Sequence, residues 1–243
     1  MGSGSISTYE KFLSLFNKLE RHLKIETDTT DYRTFMNKLR QSKNPVVKIS
    51  KNRELIEVSA NLRNIIVHNN DLKLALPTEE FLVTFETLVN EVMNPKQVKD
   101  VMRRTSELSY CSLGDTIKTG YQMMLENNIS NIPIIENRVL VGVFAESSLF
   151  LLAENNTQEL CVDLDNTKFS EIAEKLYVSE HPSLRYPYVS RKMNVYEALD
   201  RFLSLGFKDE KRTELLLVTN NGKSHEELLG IVSPYDLLKL ILD

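Results

Sequence analysis

Residues 229–241 read LGIVSPYDLLKLI, and residues 141–153 read VGVFAESSLFLLA. Each stretch passes from an apolar run through a glycine-hydrophobic step into a helix-like segment, and the two glycines, Gly142 and Gly230, stand 88 residues apart. Upstream of each lies a short apolar run, IPII at 132–135 and LLLV at 215–218, an offset of 83. Further upstream, Ile117, Tyr121, Met124 and Leu125 share one helical face, and Val195, Leu199, Phe202 and Leu203 repeat it 78 residues later. The offset grows only where the second copy carries the polar runs FKDEKR and NNGKSHEE. Duplicated units accumulate insertions in this way, in their loops. The spacing therefore predicts two copies of one helix–strand–strand–helix unit, at 95–155 and 166–243.

This order resembles the cystathionine β-synthase (CBS) domain in tandem, most clearly in the IPII that follows ISN, in LVGVF and in LLGIVSPYDLL. The resemblance implies a pair packed about a pseudo-twofold axis, with clefts for adenosine-containing ligands, that regulates an attached domain. Taken as residues alone, Ser233-Pro234-Tyr235-Asp236 is a capping box: serine at the N-cap, proline at the first helical position and an acid three residues after the serine. The same atoms suit a nucleotide, because helix-start amides attract phosphate and a carboxylate accepts from ribose hydroxyls. The resemblance assigns Ser233 to phosphate or ribose and Asp236 to ribose, with Thr213, Gly230 and Ile231 lining the base. The first copy has Ala145 and Ser148 at the matching positions, so one competent and one degenerate cleft are expected. The ligand is left open among AMP, ADP, ATP, a cyclic dinucleotide and S-adenosylmethionine, and no metal is expected.

The first ninety residues read differently. Phe12, Leu15, Phe16 and Leu19 recur at helical spacing; so do Leu55, Val58, Leu62, Ile65 and Ile66, and then Phe81, Phe85, Leu88 and Val92. A helical bundle over 6–92 is expected, ended by the break signal Asn94-Pro95. Within NLRNIIVHNND, residues 61–71, the polar residues Glu57, Asn61, Asn64 and His68 fall on one helical line with Arg63 on its flank. An imidazole that titrates near neutrality moves protons, and a guanidinium fork stabilises phosphorane-like charge. The string R-N-x3-H late in a helical bundle resembles the HEPN family, and that likeness implies a metal-independent ribonuclease centre at Arg63, Asn64 and His68 that faces its copy in a homodimer. A polar, solvated helix end is the bland alternative.

Bulk properties narrow the choices. The formal net charge of −4 argues against a protein coated for nucleic acid, yet Tyr32 to Arg53 holds seven basic residues and no acid. Lys43, Lys48 and Lys51 in this run are candidate RNA contacts. Two cysteines, Cys111 and Cys161, are too few for a disulfide framework, which points to a cytoplasmic protein. The apolar run from Val139 to Ala153 is broken by Glu146, Ser147 and Ser148 and falls short of a bilayer span, so no membrane role is expected. MGSGS, residues 1–5, is set aside as a flexible leader or expression scar. The fold class expected is α+β, an all-α bundle followed by an α/β tandem pair. The function expected is adenosyl-ligand sensing that controls a HEPN-like ribonuclease; the alternative is a non-enzymatic nucleotide-binding regulator whose helices serve dimerisation or docking.

Overall fold

The computed structural model describes residues 7–23, 32–68, 75–149, 163–178, 184–203 and 211–242, with the side chain of His68 among those not described. The MGSGS leader and the expected helix beyond residue 149 lie outside the described residues. Two units divide the chain, Met1–Lys96 and Gln97–Asp243.

The first unit is helical: α1 (Thr8–His22), α2 (Tyr32–Arg40), α3 (Pro45–Lys48), α4 (Ser50–His68) and α5 (Glu79–Met93). Starts are chemically marked. Ser7 Oγ accepts from the Glu10 amide at 3.2 Å while the Glu10 carboxylate accepts from the Ser7 amide at 3.1 Å. Thr78 caps α5 through the Phe81 amide at 3.2 Å. The predicted faces of α1 and α5 meet in an aromatic core, with the Phe12 and Phe85 ring centroids 5.5 Å apart and Phe16 stacked on Phe35 at 5.7 Å. Asn44 caps the short α3 and donates to the Val92 carbonyl at 3.1 Å, tying α3 to the end of α5.

Helix α4 corrects the sequence reading. Of the expected stripe only Ile66 is buried, whereas Val58 and Ile65 are 53% and 43% exposed. The buried face is Ile56, Ser59, Ala60 and Ile66. Two apolar stripes run along this helix, and periodicity alone does not choose between them. Packing chose the one that contains the small Ser59 and Ala60, where neighbouring helices approach closely, and the buried Ser59 hydroxyl is satisfied by the Leu55 carbonyl at 2.7 Å.

The second unit contains α6 (Ile117–Asn127), α7 (Val195–Leu203) and α8 (Pro234–Leu242) with strands β1 (Arg103–Arg104), β2 (Asn131–Glu136), β3 (Val139–Ala145), β4 (Leu184–Arg185), β5 (Tyr188–Ser190), β6 (Arg212–Thr213), β7 (Leu216–Thr219) and β8 (Gly230–Val232). Both copies build the same ladder. β2 pairs antiparallel with β3, as β7 does with β8. Cys111 bridges Ile134 in parallel, as Val189 pairs with Val218. Alternation along IPII and LLLV explains why both runs are apolar throughout: Ile132 and Ile134 enter the first copy's core, Leu216 and Val218 the second's, while Ile135, Leu215 and Leu217 enter a third core shared between the copies.

The copies are interlocked, which the sequence did not reveal. Val98, upstream of the first copy's helix, packs in the second copy's core, and Phe169, Ile172 and Leu176, upstream of the second copy's helix, pack in the first copy's. The glycine step is where these crossings occur. A Cβ on Gly142 would run into the Leu176 carbonyl, and one on Gly230 into the Arg103 carbonyl. β1 then pairs with β8, and Thr105 donates from its amide and hydroxyl to Leu229 and Leu228 at 3.0 and 2.5 Å. Leu125 and Leu203, expected on the core faces, are instead 65% and 66% exposed. In the first copy, α6 packs through Gly120, where an added Cβ would lie 2.7 Å from the Phe169 ring; in the second, the buried Ala198 takes that place on α7.

Candidate functional site

The residue before IPII and the residue before LLLV meet. Asn131 Nδ2 donates to Glu214 Oε1 at 3.3 Å, a contact between the two copies. Tyr186 Oη donates to Asn131 Oδ1 at 2.9 Å, and Arg212 pairs with Glu214 at 3.1 Å. Burial, together with the Glu214 charge, holds the Tyr186 phenol well above its usual range, so it donates throughout the physiological window.

This network forms one wall of a cleft of about 450 Å³ at the end of β3. Ser130, Asn131, Ala145, Glu146 and Ser147 line it from the first copy, and Leu184, Arg212 and Glu214 from the second. The cleft thus draws on both copies, whereas sequence reasoning assembled its site within one. A polar residue directly before each of the two apolar runs was the available signal.

At the matching end of the second copy, Asp236 Oδ2 accepts from the Ser233 amide at 2.8 Å and from Ser233 Oγ at 2.7 Å. Half of the expected capping box forms, because the Asp236 amide donates to the Ser233 carbonyl at 3.2 Å and not to the hydroxyl. The register Leu216↔Val232 places Ser233, just past β8, at the end of the sheet where β7 begins; the half-buried Thr213 lies on β6 three residues before Leu216, and Gly230 and Ile231 lie within β8. Two consequences follow from proton counting. Ser233 has one hydroxyl proton and gives it to Asp236, so it meets a phosphate as a donor only by turning away. Asp236 commits one oxygen, and among the described residues Oδ1 has no partner. Cap geometry does not by itself mark a ligand site, since Ser112 makes the same two bonds to Asp115 Oδ2, at 2.7 and 2.9 Å.

The first copy keeps the cap and loses the carboxylate. Ser148 Oγ accepts from the Ala145 amide at 3.0 Å, and Ser148 is buried.

In the helical unit, Arg63 and Asn64 are both half-buried, and Arg63 Nη1 donates to Asn64 Oδ1 at 3.3 Å. Arg63 belongs to the buried face, one turn beyond Ser59 and Ala60, and not to the flank of an exposed polar line. Backbone helix continues through His68, so Arg63 and His68 are about 140° apart around the axis, while Asn64 and His68 are about 40° apart. Lys43, Lys48 and Lys51 are all exposed. Lys51 and His68 lie at opposite ends of α4, about 25 Å apart along the axis. Among the described residues no cluster of three or more His, Cys, Asp or Glu forms a metal site, and no helix is long and apolar enough to cross a membrane.

Comparison with known proteins bears on the second unit. Solved structures similar to the chain include CBSX2 in complex with AMP (20% identity, 60% of this chain and 96% of that one, TM-score 0.43). CBSX2 from Arabidopsis thaliana has 20% identity over 61% of this chain and 96% of that one, TM-score 0.43. The CBS domains of a transcriptional regulator from Streptococcus pneumoniae have 19% identity over 59% of this chain and 98% of that one, TM-score 0.40. No curated protein sequence matches the chain significantly. The sequence profile of the CBS domain matches twice, at residues 98–154 and 178–243, which together make up just over half of the chain; the protein therefore belongs to the CBS domain family.

Proposed function

We propose that the CBS pair binds one adenosyl ligand in the cleft bounded by Ser233 and Asp236, and that its occupancy regulates a metal-independent ribonuclease centred on Arg63, Asn64 and His68. The observation that carries the ligand half is the uncommitted oxygen of Asp236, set at the pseudo-symmetric counterpart of a cleft that both copies line. In this reading Asp236 Oδ1 accepts from a ribose hydroxyl while Oδ2 keeps the helix capped. Ser233, Gly230, Ile231 and Thr213 form the surrounding wall. AMP, held by one of the similar CBS structures, is the natural first probe among AMP, ADP, ATP, cyclic dinucleotides and S-adenosylmethionine.

The effector half rests on the residue types. His68 would move the proton at the 2′-hydroxyl or the leaving oxygen, and Arg63 would stabilise charge on the phosphorane. The angular separation of the two favours a composite centre in a homodimer, with the guanidinium of one chain serving the imidazole of the other. Lys43, Lys48 and Lys51 would then hold RNA at a distance from the scissile bond, through phosphate contacts. A second reading, a non-enzymatic nucleotide-binding regulator, is favoured by the half-buried position of Arg63 and its bond to Asn64.

RNA cleavage by wild type, His68→Ala and Asp236→Ala, each with and without AMP, separates the two. The ribonuclease reading expects AMP-responsive cleavage by wild type, none by His68→Ala, and AMP-blind cleavage by Asp236→Ala. Cleavage by His68→Ala equal to wild type, or none by any of the proteins, leaves the regulator reading in its place.

A further inference from the structure

A further cavity of the second unit is lined by none of the residues proposed to hold the nucleotide. It measures about 730 Å³ and is bounded by Leu140 and Val141 on β3, by Tyr177 and Val178, by the β4–β5 segment from Leu184 to Tyr188, and by Lys211 and Ser224. Leu184 lines both this cavity and the cleft at Ala145, so the two are neighbours with otherwise different linings.

The composition of the wall is that of a small-molecule site. Tyr177, Tyr188, Pro187, Val178 and Leu140 present ring and aliphatic surface, while Arg185 and Lys211 bring two cations to one side. Among the described residues no acid lines the cavity. Lys211 is half-buried, and among the described residues neither Lys211 Nζ nor the Tyr188 phenol has a hydrogen-bond or ion-pair partner. Burial also pushes the Tyr188 phenol up, so it stays a neutral donor. A half-buried ammonium and a half-buried phenol without protein partners are donors open to a ligand's acceptors. Volumes of this size, apolar walls and a few convergent polar groups are what drug-sized ligands occupy.

We propose that this cavity is a second small-molecule site, separate from the nucleotide cleft, which takes an aromatic anion: the ring lies against Tyr177, Pro187 and Tyr188, and the acid group meets Lys211. The pairing Leu184↔Arg212 connects the two places, since Leu184 lines both cavities and Arg212 lines the cleft. A ligand here therefore shifts a wall of the cleft at Ala145, the counterpart of the proposed nucleotide cleft, without filling either.

Fluorescence titration of the full-length chain with 8-anilinonaphthalene-1-sulfonate, an aromatic ring system bearing one acid group, tests the assignment. Saturable binding at one site per chain is expected, with the dissociation constant raised about tenfold or more by Lys211→Glu, the size of one charge-assisted contact. Lys211→Arg is expected to stay within about threefold of wild type, because it keeps the charge. Asp236→Ala is expected to leave probe binding unchanged, which separates this site from the proposed nucleotide cleft. Equal affinity in Lys211→Glu and wild type, with both showing the same thermal midpoint, overturns the proposal. So does stoichiometric displacement of the probe by AMP, or the lack of a saturable phase.

Discussion

The two copies of the CBS unit solve one structural problem with two acceptors. In both, the amide that follows the glycine strand donates to the side chain three residues on: Ala145 to the Ser148 hydroxyl at 3.0 Å, and Ser233 to the Asp236 carboxylate at 2.8 Å. The fold requires only an acceptor there. A ligand requires a second one, and Asp236 has it while Ser148, buried with its oxygen engaged, does not. Difference between the copies at these two positions therefore separates what folding demands from what binding demands, a distinction that capping geometry alone conceals, as Ser112 and Asp115 show.

The comparison can be broken first at the feature the copies share. Gly142→Ala and Gly230→Ala each force a Cβ into a carbonyl of the crossing segment, and each is expected to lower stability by about 1–3 kcal/mol. Calorimetric unfolding of the full chain reads the effect; a loss in one variant only would mean that the copies are not interlocked symmetrically. Next come the caps. Asp236→Ala removes two bonds and is expected to cost about 1–2 kcal/mol, and Ser148→Ala removes one and to cost about 1 kcal/mol. Denaturant titration distinguishes them, and a larger loss at Ser148 than at Asp236 would contradict the bond count.

The Asn131–Glu214 contact between the copies gives a smaller effect. Asn131→Asp sets a carboxylate against Glu214 where an amide now donates, and a loss of about 1 kcal/mol that shrinks in high salt is expected. Smallest is the difference between Cys111 and Val189, which take matching places in the two ladders. Burial, and secondarily Asp115, push the Cys111 thiol up to about 11 from its ordinary 9.0. The native thiol stays protonated while the unfolded chain loses its proton, so this group leaves stability unchanged below about pH 9, lowers it as pH rises from about 9 towards 11, and adds no further loss above that. Slow alkylation of Cys111 at pH 8 in the native protein, mapped by peptide mass, and rapid alkylation in denaturant are the expected signs.

Much of the second unit was legible because its signals are local and occur twice. The offsets of 78, 83 and 88 located helices, strands and the glycine step, and the cap at Ser233 followed from residue type. Interlocking was not legible, since the Gly230 contact with Arg103 joins residues 127 apart in the chain and leaves no periodic trace. The cleft's second wall was missed for the same reason. In the helical unit, α1 and α5 carry one apolar stripe each and were read correctly; α4 carries two, and only its neighbours decide which is buried. Arg63, read as flanking the polar line, consequently falls within the arc of the face that is buried. The expected roles of Arg63, Asn64 and His68 derive from residue types and a motif, which helix geometry alone does not convert into a site.

Isothermal titration of AMP into wild type, Asp236→Ala and Ser148→Ala addresses the asymmetry of the copies most directly. One equivalent per chain is expected for wild type, an affinity loss of about tenfold or more in Asp236→Ala, the size of a hydrogen bond to a charged group, and unchanged binding in Ser148→Ala. Two equivalents in wild type, or wild-type affinity in Asp236→Ala, would contradict a single nucleotide cleft built on the second copy.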